Sequence, residues 1–111
     1  MNSNPDQLTF TQKVKLILKS IPKSKVTSYG AIAALAGSPR AARQVVQIIH
    51  RTENIPWHRI INSQGIIAIK DNKGFQEQKI LLKMEGVESD SKGKIDLNKY
   101  RWKCYSIDKL K

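Results

Sequence analysis

Cysteine is almost missing from this chain: Cys104 is the only one in 111 residues. That excludes an intramolecular disulfide and a zinc site built on cysteines. The two histidines, His50 and His58, do not complete a metal site with it at any familiar spacing. There is no phosphate-cradling glycine motif, so neither a cofactor nor a metal is expected. No apolar run approaches the ~20 residues that a bilayer span needs. Met1 to Thr9 is polar and has neither the basic start nor the apolar stretch of a secretory signal. The expectation is a cytoplasmic protein without a membrane partner, nucleoid-associated when bound to DNA. Its length fits one domain with one modest core.

Acidic residues are scarce as well. Nine Asp and Glu face twenty Lys and Arg, for a net charge of +11 and a pI near 10. So strong a positive field attracts polyanions, of which nucleic acid is the commonest. Ribosomal association, affinity for anionic membranes, or basic composition without functional meaning would give the same balance.

Phe10, Val14, Ile17, Leu18 and Ile21 recur at helical spacing with lysines between them, predicting an amphipathic helix from Thr9 to Ser20, stopped by Pro22. Thr27 and Ser28 are suitable N-caps for a second, short helix that Gly37 ends. Ser38 and Pro39 then suit the start of a third, from Pro39 to Arg51. Two short helices joined by Gly-Ser-Pro suggest a helix-turn-helix. The third helix would bury Ala42, Val45 and Ile49 and expose Arg40, Arg43, Gln44 and Gln47. That exposed set suits phosphates and base edges, although an ordinary helical hairpin with a solvated polar face would look the same.

Arg59-Ile-Ile-Asn and Gly65-Ile-Ile-Ala-Ile-Lys are rich in β-branched residues, and Asn62-Ser-Gln-Gly between them reads as the turn of a short hairpin. Phe75, Ile80, Leu81 and Met84 predict a fourth helix from Phe75 to Glu85, ended by Gly86. Tyr100, Trp102 and Tyr105 interrupt a lysine-rich tail, which suggests that the tail docks. The predicted fold is mostly α with a small β-hairpin, a winged-helix-like helix-turn-helix in a single domain over residues 9–105. Residues 1–8 and 106–111 are expected to be flexible ends.

Three segments resemble the DNA-binding domain of the O6-alkylguanine-DNA alkyltransferases. They are Val26-Thr-Ser-Tyr-Gly-Ala-Ile-Ala-Ala-Leu-Ala-Gly, Ser38-Pro-Arg-Ala-Ala-Arg-Gln-Val and Ile55-Pro-Trp-His-Arg-Ile-Ile-Asn-Ser-Gln-Gly. The tail Ile95-Asp-Leu-Asn-Lys-Tyr-Arg-Trp is similar to the end of bacterial members. In the transferases the third segment reads Pro-Cys-His-Arg, and its Cys accepts the alkyl group. Trp57 stands there in this chain, which resembles the alkyltransferase-like proteins.

The resemblance implies site residues and roles. Tyr29, Arg40, Ala41, Ala42, Arg43, Gln44 and Gln47 would contact DNA. Arg43 would enter the duplex and fill the space of the extruded base, while Tyr29 would crowd the flanking phosphate and help rotate the nucleotide out. Tyr29, Pro56, Trp57, His58, Arg59, Ile60 and Lys70 would line the alkylguanine pocket. His58 and Glu85 match the relay behind the transferase thiol; without a thiol they would serve as scaffolding. Trp57 would pack on the alkyl group or base face, or else be a core tryptophan. Departures include Val46-Gln47 where transferases often carry Gly-Gly or Gly-small, Thr52 where they have Asn, and a shorter segment after the hairpin, which implies a wider pocket. The implied partners are double-stranded DNA containing O6-alkylguanine and nucleotide excision repair proteins, with the protein a monomer. The competing readings are a helix-turn-helix transcription regulator and an active alkyltransferase using Cys104, which has no adjacent His.

Overall fold

The computed structural model describes residues 8–111. Of the N-terminus expected to be flexible, 1–8, residues 1–7 lie outside the described residues. Helix α1 spans Phe10–Ser20. It starts there because Thr9 and Gln12 form a capping box, each side chain bonding the other's backbone N–H. Its apolar stripe puts Val14, Ile17 and Leu18 at zero exposure. Strand β1, Thr27–Ser28, leads directly into α2, Tyr29–Leu35, and Ser28 Oγ caps α2 by accepting from Ala31 N–H at 3.1 Å. Gly37, at φ +94, ends the helix as expected.

Helix α3 is shorter than the sequence suggested. It spans Ala42–His50 rather than Pro39–Arg51. Ser38 does not cap it; its carbonyl accepts from Ala41 N–H at 2.9 Å, closing a turn that holds Pro39 and Arg40 outside the helix. Helix α4 is longer at its start, Asn72–Met84, because Asp71 caps it through Gly74 N–H at 3.0 Å.

The expected hairpin is a parallel pair instead. Strand β2, Ile60–Ile61, runs alongside β1, with Thr27 opposite Ile60 and Ser28 opposite Ile61. The Asn62–Gly65 turn does form, and Asn62 Oδ1 accepts from Gln64 and Ile66 N–H. Among the described residues, Asn62 N–H to Ile66 O is then the one backbone ladder bond between the two limbs. Beyond it, Ile66 bridges to Lys94 in the returning tail. Gly65 sits at φ +83 under Leu97, where a Cβ would come within 2.9 Å of the leucine Cγ, so the position tolerates only glycine.

Successive strand residues face opposite ways, and β2 uses this to join two cores. Ile60 packs into the helical core of α1, α2 and α3. Ile61 packs into a second core with Val26, Ile67, Leu82, Val87, Ile95 and Tyr100. The tail docks, as its aromatics suggested. Helix α5, Leu97–Tyr100, lays Tyr100 against the second core, and Val26 exchanges backbone bonds with Tyr100 and Trp102 at 2.9 Å each. Tyr105 remains 80% exposed. Residues 106–111, expected as a free end, include a 3-10 turn at Ile107–Leu110 whose two apolar residues pack against the helical core.

Candidate nucleic-acid interface

The helical pair α2–α3 presents the polar set that its spacing implied. Arg40, in the turn before α3, and Arg43, Gln44 and Gln47 on α3 are all exposed. Ala41 and Ala42, at the start of α3, are half-buried, and no side chain caps that helix. Backbone N–H groups at such an end suit an anionic oxygen. Tyr29 opens α2 and packs against the helical core, and burial pushes its hydroxyl pKa up.

Tyr29 also lines a cavity of about 450 Å³. Trp57 and Ile60, two more of the implied pocket residues, line it with Tyr29. The other walls are Ile49, Ile55, Ile61, Ala68 and Ile69, with His50, Thr52, Asn54 and Gln78 as polar members. Pro56, His58, Arg59 and Lys70 are not among the lining residues. Pro56 is half-buried at the head of a 3-10 turn, Trp57–Arg59, and Lys70 is exposed past the strand region. The turn explains the split: on so tight a helix adjacent side chains diverge, so Trp57 faces the cavity while His58 and Arg59 point behind it. The Trp57 and His58 rings stand edge-on, 86° apart.

Behind the loop, Glu85 collects the two basic side chains. His58 Nε2 lies 2.7 Å from Glu85 Oε2. Arg59 donates from Nε and Nη2 to the same carboxylate, at 2.7 to 3.2 Å, and from Nη1 to Ile21 O at 2.7 Å. Ser24 adds its backbone N–H to Oε1 at 3.2 Å. Burial pushes the Glu85 pKa up, but the bonds from Arg59, His58 and Ser24 and the His58 charge outweigh it and hold the carboxyl at about 2. The pairing of His58 with Glu85 is the scaffold that the sequence resemblance implied. Arg59 belongs to that scaffold as well.

Gln78 was missed. It is 1% exposed, and its Nε2 donates to His58 O and Ile60 O, both at 2.9 Å, tying α4 to the loop. The signal was present: an amide on the buried stripe of α4, between Phe75 and Leu82. Ile49, Thr52, Asn54, Ala68 and Ile69 gave no such sign, because only the tertiary fold brings them to one wall.

Cys104 lines a different cavity, of about 420 Å³, with Ser28, Leu35, Arg101 and Trp102. Its Sγ lies 3.6 Å from Ser106 O. Among the described residues no group of three or more His, Cys, Asp or Glu could hold a metal, and no helix is long and apolar enough to cross a membrane.

Comparison with known proteins agrees with this geometry. Residues 9–87 match the family described as 6-O-methylguanine DNA methyltransferase, DNA binding domain. The DNA base-flipping protein of Escherichia coli is 44% identical over 97 residues, covering 85% of this chain and 74% of the relative. Alkyltransferase-like protein 1 of Schizosaccharomyces pombe is 43% identical over 102 residues, covering 85% and 94%. A crystal structure of S. pombe Atl1 in complex with damaged DNA containing O6-carboxymethylguanine superposes with a TM-score of 0.74 at 44% identity, covering 86% of this chain and 95% of that one. The chain belongs to the 6-O-methylguanine DNA methyltransferase DNA-binding domain family, among its alkyltransferase-like, base-flipping members.

Proposed function

We propose that this protein binds O6-alkylguanine in double-stranded DNA without transferring the alkyl group, and marks the lesion for nucleotide excision repair. The observation that carries the reading is Trp57. Its indole forms cavity wall directly beside the His58–Glu85 pair, and the only thiol, Cys104, lines another cavity. An indole N–H is a donor without useful basicity and cannot act as the acceptor. An apolar cavity walled by Trp57 and five isoleucines suits an alkylated base better than a bare one.

In the proposed binding mode α3 sits on the minor groove. The O6 atom lies inside the base stack, so the nucleotide has to leave the helix to be inspected. Arg43 takes its place, Tyr29 crowds the flanking phosphate, and Arg40, Gln44 and Gln47 hold the backbone. Ala41 and Ala42 let the start of α3 approach closely. The S. pombe complex with O6-carboxymethylguanine DNA supports the ligand class. The protein acts as a monomer, as a cytoplasmic protein that gathers on DNA, and a repair protein reads the bound complex.

The decisive experiment uses DNA carrying radiolabelled O6-methylguanine. The expected result is a gel shift favouring the lesion duplex, no label on the protein, and shielding of the lesion from a true transferase. Stoichiometric label on Cys104 would overturn the reading.

Trp57→Cys probes how much of the enzyme persists. It restores Pro-Cys-His-Arg, and the His58 ring is already held, with Nε2 2.7 Å from Glu85 Oε2. Methyl transfer, however, needs sulfur ~3–3.5 Å from the alkyl carbon and in line with the leaving oxygen. The cavity of about 450 Å³ becomes wider still once the indole is gone. Lesion binding should survive with little or no transfer. Efficient self-methylation of Trp57→Cys would mean that the pocket is still catalytically organised.

A further inference from the structure

We propose that the outer side of α1 and the C-terminal tail form a second DNA-binding surface, which takes a separate duplex segment while α3 holds the first. The inference goes beyond the lesion-binding reading and needs only that α3 occupies a duplex.

The positive charge of the chain is segregated. Residues 53–96 hold seven Lys and Arg against seven Asp and Glu and are neutral. Residues 28–52, which contain the α2–α3 face, hold three arginines and no acid. Residues 8–27 hold five lysines and no acid, and residues 97–111 hold five cations and one acid. These last two stretches supply nine of the eleven net positive charges, and the interface assigned above uses none of them.

The two stretches fold into one surface. Val26 exchanges backbone bonds with Tyr100 and Trp102, and Lys25 Nζ donates to Lys99 O at 3.5 Å. The 3-10 turn Ile107–Leu110 packs on α1. The one acid, Asp108, pairs with Lys111 at 3.1 Å. Lys15, Lys19, Lys23, Lys103 and Lys109 are exposed. Like charges gathered in this way repel one another, and a polyanion relieves the repulsion while its counterions are released.

Placement decides which polyanion. Helices α1 and α3 turn their apolar stripes to one core, which holds Val14, Ile17, Leu18 and Val45, so their outer sides diverge. A straight duplex on α3 does not reach the outer side of α1. A wedge entering from the minor groove kinks the duplex towards its major groove, which carries the flanks further off. The second surface is therefore left for another segment. A membrane is a poor fit, because interfacial helices bury apolar side chains in the bilayer and the stripe of α1 is fully buried in protein. A protein that holds two segments can pass from one to the other without release, which suits a search for rare lesions.

The test saturates the full chain with an O6-methylguanine duplex, adds a labelled undamaged duplex and weighs the product by mass photometry. The expected product is one protein with two duplexes. The second binds with a dissociation constant on the order of 1–10 µM at low salt and weakens steeply as salt rises. The variant Lys15→Gln, Lys19→Gln, Lys23→Gln, Lys103→Gln should bind the lesion duplex and lose the second about tenfold or more. A charge-matched control, Lys73→Gln, Lys83→Gln, Lys92→Gln, Lys94→Gln, lies on the neutral stretch and should retain it. Absence of a second duplex, a product containing two proteins, or equal losses in variant and control overturns the inference. So does uptake on anionic vesicles in place of the second duplex. If the variant does not fold, as judged by circular dichroism, the mass of the complex formed by the unaltered protein decides alone. Lesion preference without a second duplex removes only this surface, whereas two duplexes held without lesion preference removes the lesion-binding reading and leaves the surface standing.

Discussion

Glu85→Ala should lower the unfolding free energy by about 3 kcal/mol, the lower end of what breaking a buried ion pair costs. The magnitude follows from what is left behind. Arg59 keeps its bond to Ile21 O but loses every contact to a carboxylate, while its side chain is only 13% exposed. His58 and the Ser24 N–H lose a partner at the same time. Three elements distant in sequence lose the carboxylate that joins them: the α1–β1 connection, the Trp57–Arg59 turn and the end of α4. Urea denaturation measures the loss. A change below about 1 kcal/mol, the range of surface pairs, would show that water already screens this network.

The same carboxyl sets a pH dependence. Its pKa is depressed in the folded protein, from 4.5 to about 2. A depressed carboxyl contributes stability that is complete above its unfolded pKa and is lost as the pH falls towards its folded one. The stability difference between the protein and Glu85→Gln should therefore be constant above about pH 4.5 and narrow between there and about pH 2. A difference that stays constant through that window would place the stabilisation elsewhere.

What the sequence disclosed depended on how local the interaction was. Helix α1 was legible almost to the residue, because its stripe and its Thr9–Gln12 box lie within one short segment. The boundaries of α3 and α4 shifted by a few residues where two caps competed: Ser38 made a turn instead of a cap, and Asp71 capped a helix whose first turn, Asn72-Lys-Gly, carries no apolar pattern. The strand pair was misassigned for a different reason. Ile60 and Ile61 have the same β-branched character whether they pair with Ile66 across a turn or with Thr27 far back in the chain, and only packing on both faces selects the parallel partner. The site divided in the same way. The loop motif placed Trp57 on the cavity wall and His58 on Glu85, while Arg59 turned to the same carboxylate and away from the cavity. Gln78 needed the fold, because its meaning lies in two carbonyls about twenty residues away.

Arg43→Ala should weaken binding to an O6-methylguanine duplex by about 30-fold, the loss expected of a residue central to an interface. In the free protein Arg43 is exposed in the first turn of α3, and among the described residues its side chain has no ion pair or hydrogen bond. Nothing inside the protein has to break before it enters the duplex. Two roles are then separable. As a cation it releases counterions, and that part weakens as salt rises. As the proposed wedge it would fill the gap left by the flipped base and offset part of an unstacking cost of a few kcal/mol, and that part would persist at high salt. Arg40→Ala removes only a phosphate contact, so it should cost a few-fold at low salt and almost nothing at high salt. Arg43→Ala should keep most of its penalty there, and Arg43→Leu, which retains bulk without charge, should recover part of it. A fluorescent base analogue at the flipped position reports extrusion directly and should brighten for the unaltered protein, less for Arg43→Leu, and least for Arg43→Ala. Normal brightening with Arg43→Ala, together with a penalty that vanishes at high salt, would reduce Arg43 to a phosphate contact and assign the wedge to another residue of the α2–α3 face.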